Sequence, residues 1–363
     1  MADAQSQAGV SVTVAATDDN GAGHLNRADI PCSAGVRYEI FVRQSRFYTF
    51  SWPLTLWLWR NVRKFDVIHI HALFSYPSTA AAVCAKVTGT PFIVRPLGTL
   101  NQWGMQNRKR WLKTASFLLL ESRILRWAAL VHFTSEQEAF EAGLLRVPYR
   151  SAIVPNPVMI PASPANPGIS ARPSHLQGKT VILFLSRIDA KKGLDLLLPA
   201  FRLVQREQRD SILVIVGDGD PEYVSAMKAL ANELEIAESV VWRGFLDGHD
   251  KESIMRSADI FVLPSYSENF GVAVVEAMGA GLPVIVSDQV GIHREIAREQ
   301  AGLVVHCGEE ALATALLKAS RESAWRASAG AAGRELAKQF SPLVVSKQCL
   351  NLYRRVATVS SGT

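Results

Sequence analysis

The sequence has few cysteines, no long apolar run and little negative charge in its first half, and each shortage excludes a class of protein. Cys32, Cys84, Cys307 and Cys349 lie far apart, so we expect ordinary buried thiols rather than zinc ligands or disulfides. No apolar stretch reaches the ~20 residues of a membrane-spanning helix, and the first residues lack the basic start of a signal peptide. We therefore expect a globular protein that acts in the cytoplasm.

The composition fits two packed domains. The chain has 363 residues, of which 48% are hydrophobic and 20% charged. These proportions exclude a disordered or collagen-like chain. Because single cores rarely grow beyond about 250 residues, the length favours a two-domain enzyme.

The first half of the chain is basic and rich in tryptophan. Residues 1–175 hold 18 Lys and Arg against 10 Asp and Glu, and six of the eight Trp. Basic residues interleaved with Trp can bind an anionic membrane surface. Nucleic acid is the competing partner, but no nucleic-acid-binding motif is present, so we expect none. A core role for the Trp, with Arg on a solvated face, stays open.

Short apolar strands alternate with helical stretches along the whole chain, which predicts parallel sheets flanked by helices. A proline-rich stretch from Pro155 to Pro167 separates two such sets, since proline fits neither sheet nor helix interior. We expect domains at 1–156 and 179–340, a linker at 157–178, and a last helical segment at 341–363 that packs on the first domain. A ligand site is expected in a crevice between the domains, at the carboxyl ends of the strands.

Two glutamates follow a predicted strand of the second half. In the stretch Pro264 to Pro283, Glu268 lies in a polar turn and Glu276 lies eight positions later, inside the helix that begins near Phe270. A helix start offers backbone N–H groups and a positive dipole end to a ligand. Two carboxylates so placed can accept hydrogen bonds from the hydroxyls of a nucleotide sugar. The alternative is a helix-capping charge and a surface charge.

Two cations follow an earlier strand of the same half. Arg187 and Lys192 lie five positions apart directly after the strand that ends near Ser186. A guanidinium and an ammonium together can stabilise the growing charge of a leaving diphosphate. A solvated loop is the alternative. The pair Gly217 and Gly219, after the next strand, allows backbone to approach a ligand, although alone it is weak evidence.

Taken together, these residues resemble the retaining nucleotide-sugar glycosyltransferases of family 4, which have the GT-B fold of two Rossmann-like domains facing across a cleft. The most specific part is Glu268-x7-Glu276 with 269–271 inside it, followed by Arg187 leading to Lys192. The resemblance implies that the first domain binds the acceptor and the second the donor. It implies that Arg187 and Lys192 contact the donor diphosphate, that Glu268 and the next backbone amides hold the sugar, and that Glu276 holds the ribose.

The resemblance also assigns residues of the first half and further donor contacts. His71 ends the strand Asp66-Val-Ile-His-Ile-His and matches the family's acceptor-side histidine; it lies nearer the strand end than His69. A basic helix from Arg108 to Arg126, with Glu121 as its one acid, resembles a membrane-facing helix of transferases that use lipid-linked saccharides. Ordinary surface charge is its alternative. The remaining candidates are Arg95 and Gly98 on the acceptor side and Gly217, Gly244, Phe245, Asn269, Phe270 and Gly271 for the donor.

The beginning of the sequence departs from the family pattern. Family members start with a strand and a Gly-Gly loop ahead of the strand that is here Ser11 to Ala16. We therefore expect a first domain that lacks its first strand. A start set too late, an unusual repair of the domain, and an impaired enzyme are the three explanations.

The resulting expectation is a retaining hexosyltransferase of bacterial polysaccharide or glycolipid biosynthesis. It would move a sugar from a nucleoside diphosphate to a saccharide or lipid-linked saccharide, with no cofactor and no metal, since no Asp-x-Asp motif lies in a suitable place. We expect it in the cytoplasm, peripheral on the inner face of the plasma membrane. The alternatives are a nucleotide-sugar epimerase and a catalytically impaired, membrane-associated binding protein. A nicotinamide reductase is disfavoured, because Gly217 to Gly219 lacks the rest of the dinucleotide fingerprint.

Overall fold

The computed structural model describes residues 1–21, 23–26, 28, 30, 33, 35–101, 110–160 and 176–360. The chain divides into two compact units. The first comprises Met1–Pro157 with Pro342–Thr363, and the second comprises Val158–Ser341. The chain therefore returns to the first unit after completing the second. The linker expected at 157–178 lies mostly outside the described residues.

Among its described residues, the first unit has eight strands, of which four form a parallel sheet in the order β5-β6-β7-β8. A second parallel pair joins β1 to β4, and β2 and β3 form a short antiparallel hairpin. No ladder joins β1 or β4 to the four-stranded sheet among the described residues. The strands are β1 Val12–Thr17, β2 Asp19–Asn20, β3 Gly23–His24, β4 Val36–Phe41, β5 Ile68–His71, β6 Phe92–Arg95, β7 Leu130–Phe133 and β8 Ser151–Ile153.

The helix α2, Trp52–Asn61, buries one apolar face. In α2, Leu54 and Leu58 are buried at an i, i+4 spacing, and the Ser51 side chain caps the helix by accepting a hydrogen bond from the Leu54 N–H. The helices are α1 Ala2–Gln7, α2 Trp52–Asn61, α3 Tyr76–Thr88, α4 Arg110–Ser116, α5 Ser122–Trp127 and α6 Glu136–Gly143, with short 3-10 turns at Phe47–Thr49 and Val62–Lys64 and a π-helical turn at Phe117–Glu121.

The π-helical turn changes the interpretation of the basic helix. Glu121, the one acid of the basic stretch from Arg108 to Arg126, is fully buried. Its carboxylate accepts hydrogen bonds from the Tyr48 hydroxyl at 2.9 Å and from the Ser116 hydroxyl at 2.9 and 3.0 Å. Because an insertion in the helix ladder rotates the next residues, Glu121 faces the interior rather than solvent. The one acid of the basic stretch is therefore an internal residue, and 108–109 lie outside the described residues.

The second unit is built on a six-stranded parallel sheet in the order β11-β10-β9-β12-β13-β14. Its central strands are apolar on both faces, because helices cover both; all six residues of β10 are buried. The strands are β9 Thr180–Leu185, β10 Ser211–Val216, β11 Val240–Trp242, β12 Ile260–Leu263, β13 Val284–Ser287 and β14 Gly302–Val305. Each lies where the apolar runs of the sequence predict a strand.

Seven helices of the described part of the second unit follow strands or one another. They are α7 Leu194–Glu207, α8 Pro221–Glu233, α9 Gly248–Ser257, α10 Val272–Ala280, α11 His293–Arg298, α12 Glu309–Arg321 and α13 Ser323–Lys338, with 3-10 turns at Ala190–Lys192 and Ala237–Ser239. Residues 309–338 therefore form two helices that are separated at Glu322.

The last helix, α14 Pro342–Ser360, belongs to the first unit. Its buried face, which includes Val345 and Cys349, packs with Ile93 and Val154. The Ser346 hydroxyl donates to the Ala4 carbonyl at 2.8 Å, which ties α14 to α1. The described part of the chain contains no helix with the length and apolar character that crossing a bilayer requires.

Candidate functional site

The strongest motif of the second unit folds into a loop and a helix start at the carboxyl end of β12. The Glu268 N–H donates to the Gln289 carbonyl at 3.0 Å, and the Gly291 N–H donates to the Glu268 carbonyl at 2.8 Å. Gly271 then precedes α10 at a φ of 100°. The loop is thus held against the end of β13, with the first turn of α10 behind it.

The Lys192 ammonium forms an ion pair with the Glu268 carboxylate. Lys192 ends the 3-10 turn after β9, and the following Gly193 has a φ of 75°. A Cβ at Gly193 would lie 2.1 Å from the Pro264 carbonyl oxygen, so only glycine lets the two loops approach this closely. Lys192 is 7% exposed, which means that the pair is largely shielded from water.

Arg187 lies on the same loop but is exposed. Its side chain is 65% exposed, and its guanidinium lies 3.8 Å from the Asp189 carboxylate. Burial, followed by the charges of Lys192 and Arg187, lowers the pKa of Lys191. The cations Arg187, Lys191 and Lys192 outnumber the carboxylates of Asp189 and Glu268 at this strand end, and a surplus of positive charge favours an anion such as a diphosphate.

Glycines bring two further strand ends beside this loop. Gly217 has a φ of 137°, and a Cβ there would lie 1.9 Å from the Ser186 carbonyl oxygen. The Gly217 N–H donates to the Gly244 carbonyl at 2.8 Å. Gly217 and Gly244, both donor-site candidates, thus lie at the same sheet edge as Arg187.

The aromatic candidates of the donor site differ in exposure. Phe245, which follows Gly244, is 67% exposed, whereas Phe270 is buried and its ring packs on Phe340. Phe270 can therefore offer a ligand only its backbone. Beside Phe245, the described residues line a cavity of about 150 Å³ under α9, which includes Arg243 and Leu246 but neither Lys192 nor Glu268.

Glu276, on α10, has a partner that sequence spacing does not indicate. The Lys251 ammonium, on α9, donates to the Glu276 carboxylate at 2.8 Å. No local pattern links two residues on successive helices, so the sequence analysis missed Lys251. A ligand hydroxyl that binds Glu276 would share its carboxylate with this ammonium or displace it.

In the first unit, two of the acceptor-side candidates end neighbouring strands. His71 is the last residue of β5 and pairs in register with Arg95, the last residue of β6. His71 is exposed, and Arg95 is 4% exposed. Gly98, three residues after Arg95, donates its N–H at 2.6 Å to the buried Glu138 carboxylate, which the sequence analysis missed.

His69 belongs to an internal hydrogen-bonded chain rather than to a ligand surface. The His132 Nε2 lies 2.7 Å from the Val154 carbonyl, which can only accept, so this nitrogen carries a proton. His132 Nδ1 then accepts from His69 Nε2 at 3.2 Å, and His69 Nδ1 accepts from the Tyr353 hydroxyl at 2.9 Å. This series of hydrogen bonds links β5, β7 and α14.

The surrounding protein lowers the pKa of His69, His132 and His71, although part of the His71 side chain stays exposed. Desolvation brings the pKa of His132 to about 3, and it lowers the pKa of His69 strongly, with the His71 and His132 charges acting in the same direction. Desolvation and the Arg95 charge lower the pKa of His71. The cluster is therefore neutral at physiological pH.

This cluster predicts that the first unit loses stability in mild acid. Below pH ~6.5 the unfolded chain binds protons that His69 and His132 exclude in the folded protein, so the free energy of unfolding falls as the pH is lowered toward their folded pKa values. We expect the free energy of unfolding to fall between pH ~6.5 and ~4. Urea titrations followed by Trp fluorescence measure this, since six of the eight Trp belong to the first half.

The replacement His132→Gln tests the cause. Glutamine keeps a donor for the Val154 carbonyl but has no titrating ring, so the dependence of stability on pH should become shallower. His249→Gln is the matched control, because the His249 side chain is 81% exposed. An unchanged slope in His132→Gln would show that other groups cause the acid sensitivity.

Comparison with known families matches both units. Residues 169–336 match the family described as Glycosyl transferases group 1, and residues 1–157 match the family described as Glycosyl transferase 4-like domain. The two matches cover most of the chain without overlap, and the first one ends at the boundary between the units.

Individual relatives each match part of the chain. The phosphatidyl-myo-inositol mannosyltransferase of Mycobacterium leprae (strain TN) is 35% identical over 211 residues, which are 57% of this chain and 54% of that protein. The alpha-monoglucosyldiacylglycerol synthase of Streptococcus pneumoniae (strain ATCC BAA-255 / R6) is 33% identical over 142 residues, 39% of this chain and 32% of that protein. The chain spans about half the length, or less, of these curated relatives.

Solved structures share the fold along nearly the whole chain. Sucrose-phosphate synthase from Thermosynechococcus elongatus superimposes with a TM-score of 0.75 at 23% identity, covering 99% of this chain and 92% of that one. Anabaena Alr3699/HepE in complex with UDP gives a TM-score of 0.72 at 17% identity, covering 95% and 100%. With two parallel α/β units and matches to both family domains, the chain belongs to the GT-B glycosyltransferases of family 4.

Proposed function

We propose that this protein transfers a sugar from a nucleoside diphosphate to a saccharide or lipid-linked saccharide with retention of anomeric configuration. The observation that carries the proposal is the shielded Lys192–Glu268 pair at a strand end that also presents Arg187. Relatives support the substrate class, because one is named a phosphatidyl-myo-inositol mannosyltransferase and one structure holds UDP.

Each proposed role follows from charge and position. Lys192 and Arg187 stabilise the negative charge of the leaving diphosphate. Glu268 accepts a hydrogen bond from a sugar hydroxyl, together with the backbone N–H groups of 269–271, and Glu276 accepts from the ribose. Gly217, Gly244 and the backbone at Phe245 leave room for the nucleotide. Because these cations neutralise the diphosphate, we propose that no divalent metal is needed.

The reaction exchanges one bond to the anomeric carbon for another. The bond from that carbon to the diphosphate oxygen breaks, and a bond to the acceptor oxygen forms on the same face. The acceptor hydroxyl gives its proton to the departing phosphate oxygen. His71, neutral in the folded protein, is proposed to orient the acceptor hydroxyl.

A screen of nucleoside diphosphate sugars tests this function. Purified protein should release nucleoside diphosphate slowly from its true donor without acceptor, and faster with an acceptor, giving a product with the donor's anomeric configuration by NMR. An epimer formed from the donor alone would favour an epimerase instead. Donor binding without any turnover would favour a binding protein.

We also propose that the first unit binds an anionic membrane surface. Trp52, Leu56 and Trp59 are exposed at 52%, 40% and 58%, and their spacing of four and three residues places them on one face of α2. Exposed Arg60 and Arg63 lie beside them. Trp111, next to α4's start, is 73% exposed, while Trp103 lies outside the described residues.

The membrane proposal predicts a loss of vesicle binding. Trp52→Ser with Trp59→Ser should reduce binding to phosphatidylglycerol vesicles by about tenfold or more, since each buried indole adds over 1 kcal/mol. Sedimentation with phosphatidylcholine vesicles should show weak binding for all variants. The control is Leu343→Ser, another exposed apolar residue of the first unit, at 64%. Equal binding of the double variant and the parent would refute this role for α2.

A further inference from the structure

The Arg95 guanidinium is a buried cation at the end of β6, and its surroundings do not balance its charge. The Nη2 group donates to the Asn156 amide oxygen, and Nη1 contacts the Met1 sulfur at 3.5 Å. The Nε–H is buried and has no acceptor. No carboxylate forms a salt bridge with Arg95 in the described part of the chain.

The other ionisable groups around Arg95 do not compensate for it. His69, His71 and His132 are neutral, and burial raises the pKa of Cys349 to about 11 and also raises that of Tyr353. Glu138 attracts Arg95 at longer range. Its carboxylate, however, is occupied by the Gly98 N–H at 2.6 Å and by the Thr134 N–H and hydroxyl, each at 2.7 Å.

A buried charge without a partner is costly, and an N–H without an acceptor adds to that cost. Such a cost is expected where a ligand supplies the missing charge. Guanidinium groups hold phosphate oxygens through several N–H donors in one plane, and a neutral histidine can add another donor. His71, exposed and in register with Arg95, lies where solvent reaches this cluster.

We infer that Arg95, together with His71, binds a phosphate group of the acceptor. The inference rests on the proposed function only in that it calls the ligand the acceptor. The binding of the phosphate itself does not require turnover. A phosphate on the acceptor fits either a soluble sugar phosphate or a phospholipid headgroup. A neutral acceptor would leave the Arg95 charge unbalanced in the complex as well.

Inorganic phosphate is the first probe. It is titrated against the full chain carrying Arg187→Gln and Lys192→Gln, so that the donor-side cations do not bind it. The midpoint of thermal unfolding, followed by Trp fluorescence, should rise with phosphate concentration. Adding Arg95→Met should raise the apparent dissociation constant by about tenfold or more, and His71→Gln should raise it by a smaller factor.

Stability without phosphate separates this role from a structural one. If Arg95 is unbalanced, Arg95→Met should be at least as stable as its parent in phosphate-free buffer, because methionine of similar length removes a buried charge. A purely structural arginine would make the variant less stable and leave the response to phosphate unchanged. That pair of results would overturn the inference. If Arg95→Met does not fold, His71→Gln, at an exposed position, still tests phosphate binding.

Competition identifies the source of the phosphate. Glucose 6-phosphate, but not glucose, should displace inorganic phosphate if the ligand is a soluble sugar phosphate. Phosphatidic acid vesicles should displace it in an Arg95-dependent way if the ligand is a lipid headgroup. Displacement by neither probe, with no effect of inorganic phosphate, would contradict the site. Because these are binding measurements, they remain decisive even if the donor screen finds no transfer.

Discussion

Lys192→Ala should lower the rate of sugar transfer by about 10²- to 10³-fold, because it removes the shielded cation placed to stabilise the leaving diphosphate. Lys192 is 7% exposed, so water and mobile ions cannot replace its charge well. Steady-state kinetics should show the loss mainly in kcat, since charge on the diphosphate grows in the transition state. Product formation is measured by release of nucleoside diphosphate.

Lys191→Ala is the matched control for this prediction. It removes the same charge from the same turn, but Lys191 does not pair with Glu268. We expect its kcat to stay within about tenfold of the parent. If both variants lose activity equally, the effect comes from the overall field of the loop. If Lys192→Ala retains near-normal turnover, the proposed site is wrong.

Glu268→Gln should reduce transfer by a comparable factor, about 10²-fold or more, for two reasons. The sugar hydroxyl loses its charged acceptor, and the Lys192 ammonium loses the carboxylate that orients it. The variant should also lose about 1–3 kcal/mol of stability, because Lys192 stays buried without its counter-charge. Kinetics and urea denaturation of the second unit measure the two effects separately.

A double replacement and a surface control complete this test. Lys192→Ala combined with Glu268→Gln should cost less activity than the product of the two single losses, since both act on one unit of the site. Glu252→Ala is the control, because Glu252 forms a more exposed ion pair with Arg256 on α9. Independent, multiplicative losses for Lys192 and Glu268 would mean that their pairing has no role in catalysis.

The sequence predicts the elements of both units well, because apolar periodicity is a local property. The strands Ile260–Leu263 and Val284–Ser287, for example, coincide with short apolar runs of the sequence. Helix ends are harder to predict. The stretch 309–338 divides at Glu322, and a π-helical turn interrupts the basic helix, since packing against neighbouring elements decides both.

The motifs also indicate which loops carry chemistry, because residues after parallel strands gather at one sheet edge. The sequence therefore identifies Arg187, Lys192 and Glu268 as candidate site residues, by their positions and by family resemblance. It does not reveal that Lys192 and Glu268, 76 residues apart, form an ion pair. That contact depends on the close approach of Gly193 to the Pro264 carbonyl, which only the packed loops define.

The sequence by itself determined the α/β class, the two strand sets and the polar residues at the strand ends, since spacing and hydrophobicity along the chain encode them. Only the tertiary structure decided the partners: Lys251 with Glu276, Glu138 with Gly98, buried Glu121 with Tyr48, and Arg95 without a counter-charge. Side chains distant in sequence meet where strands and helices pack, and the free energy of a buried charge depends on that environment.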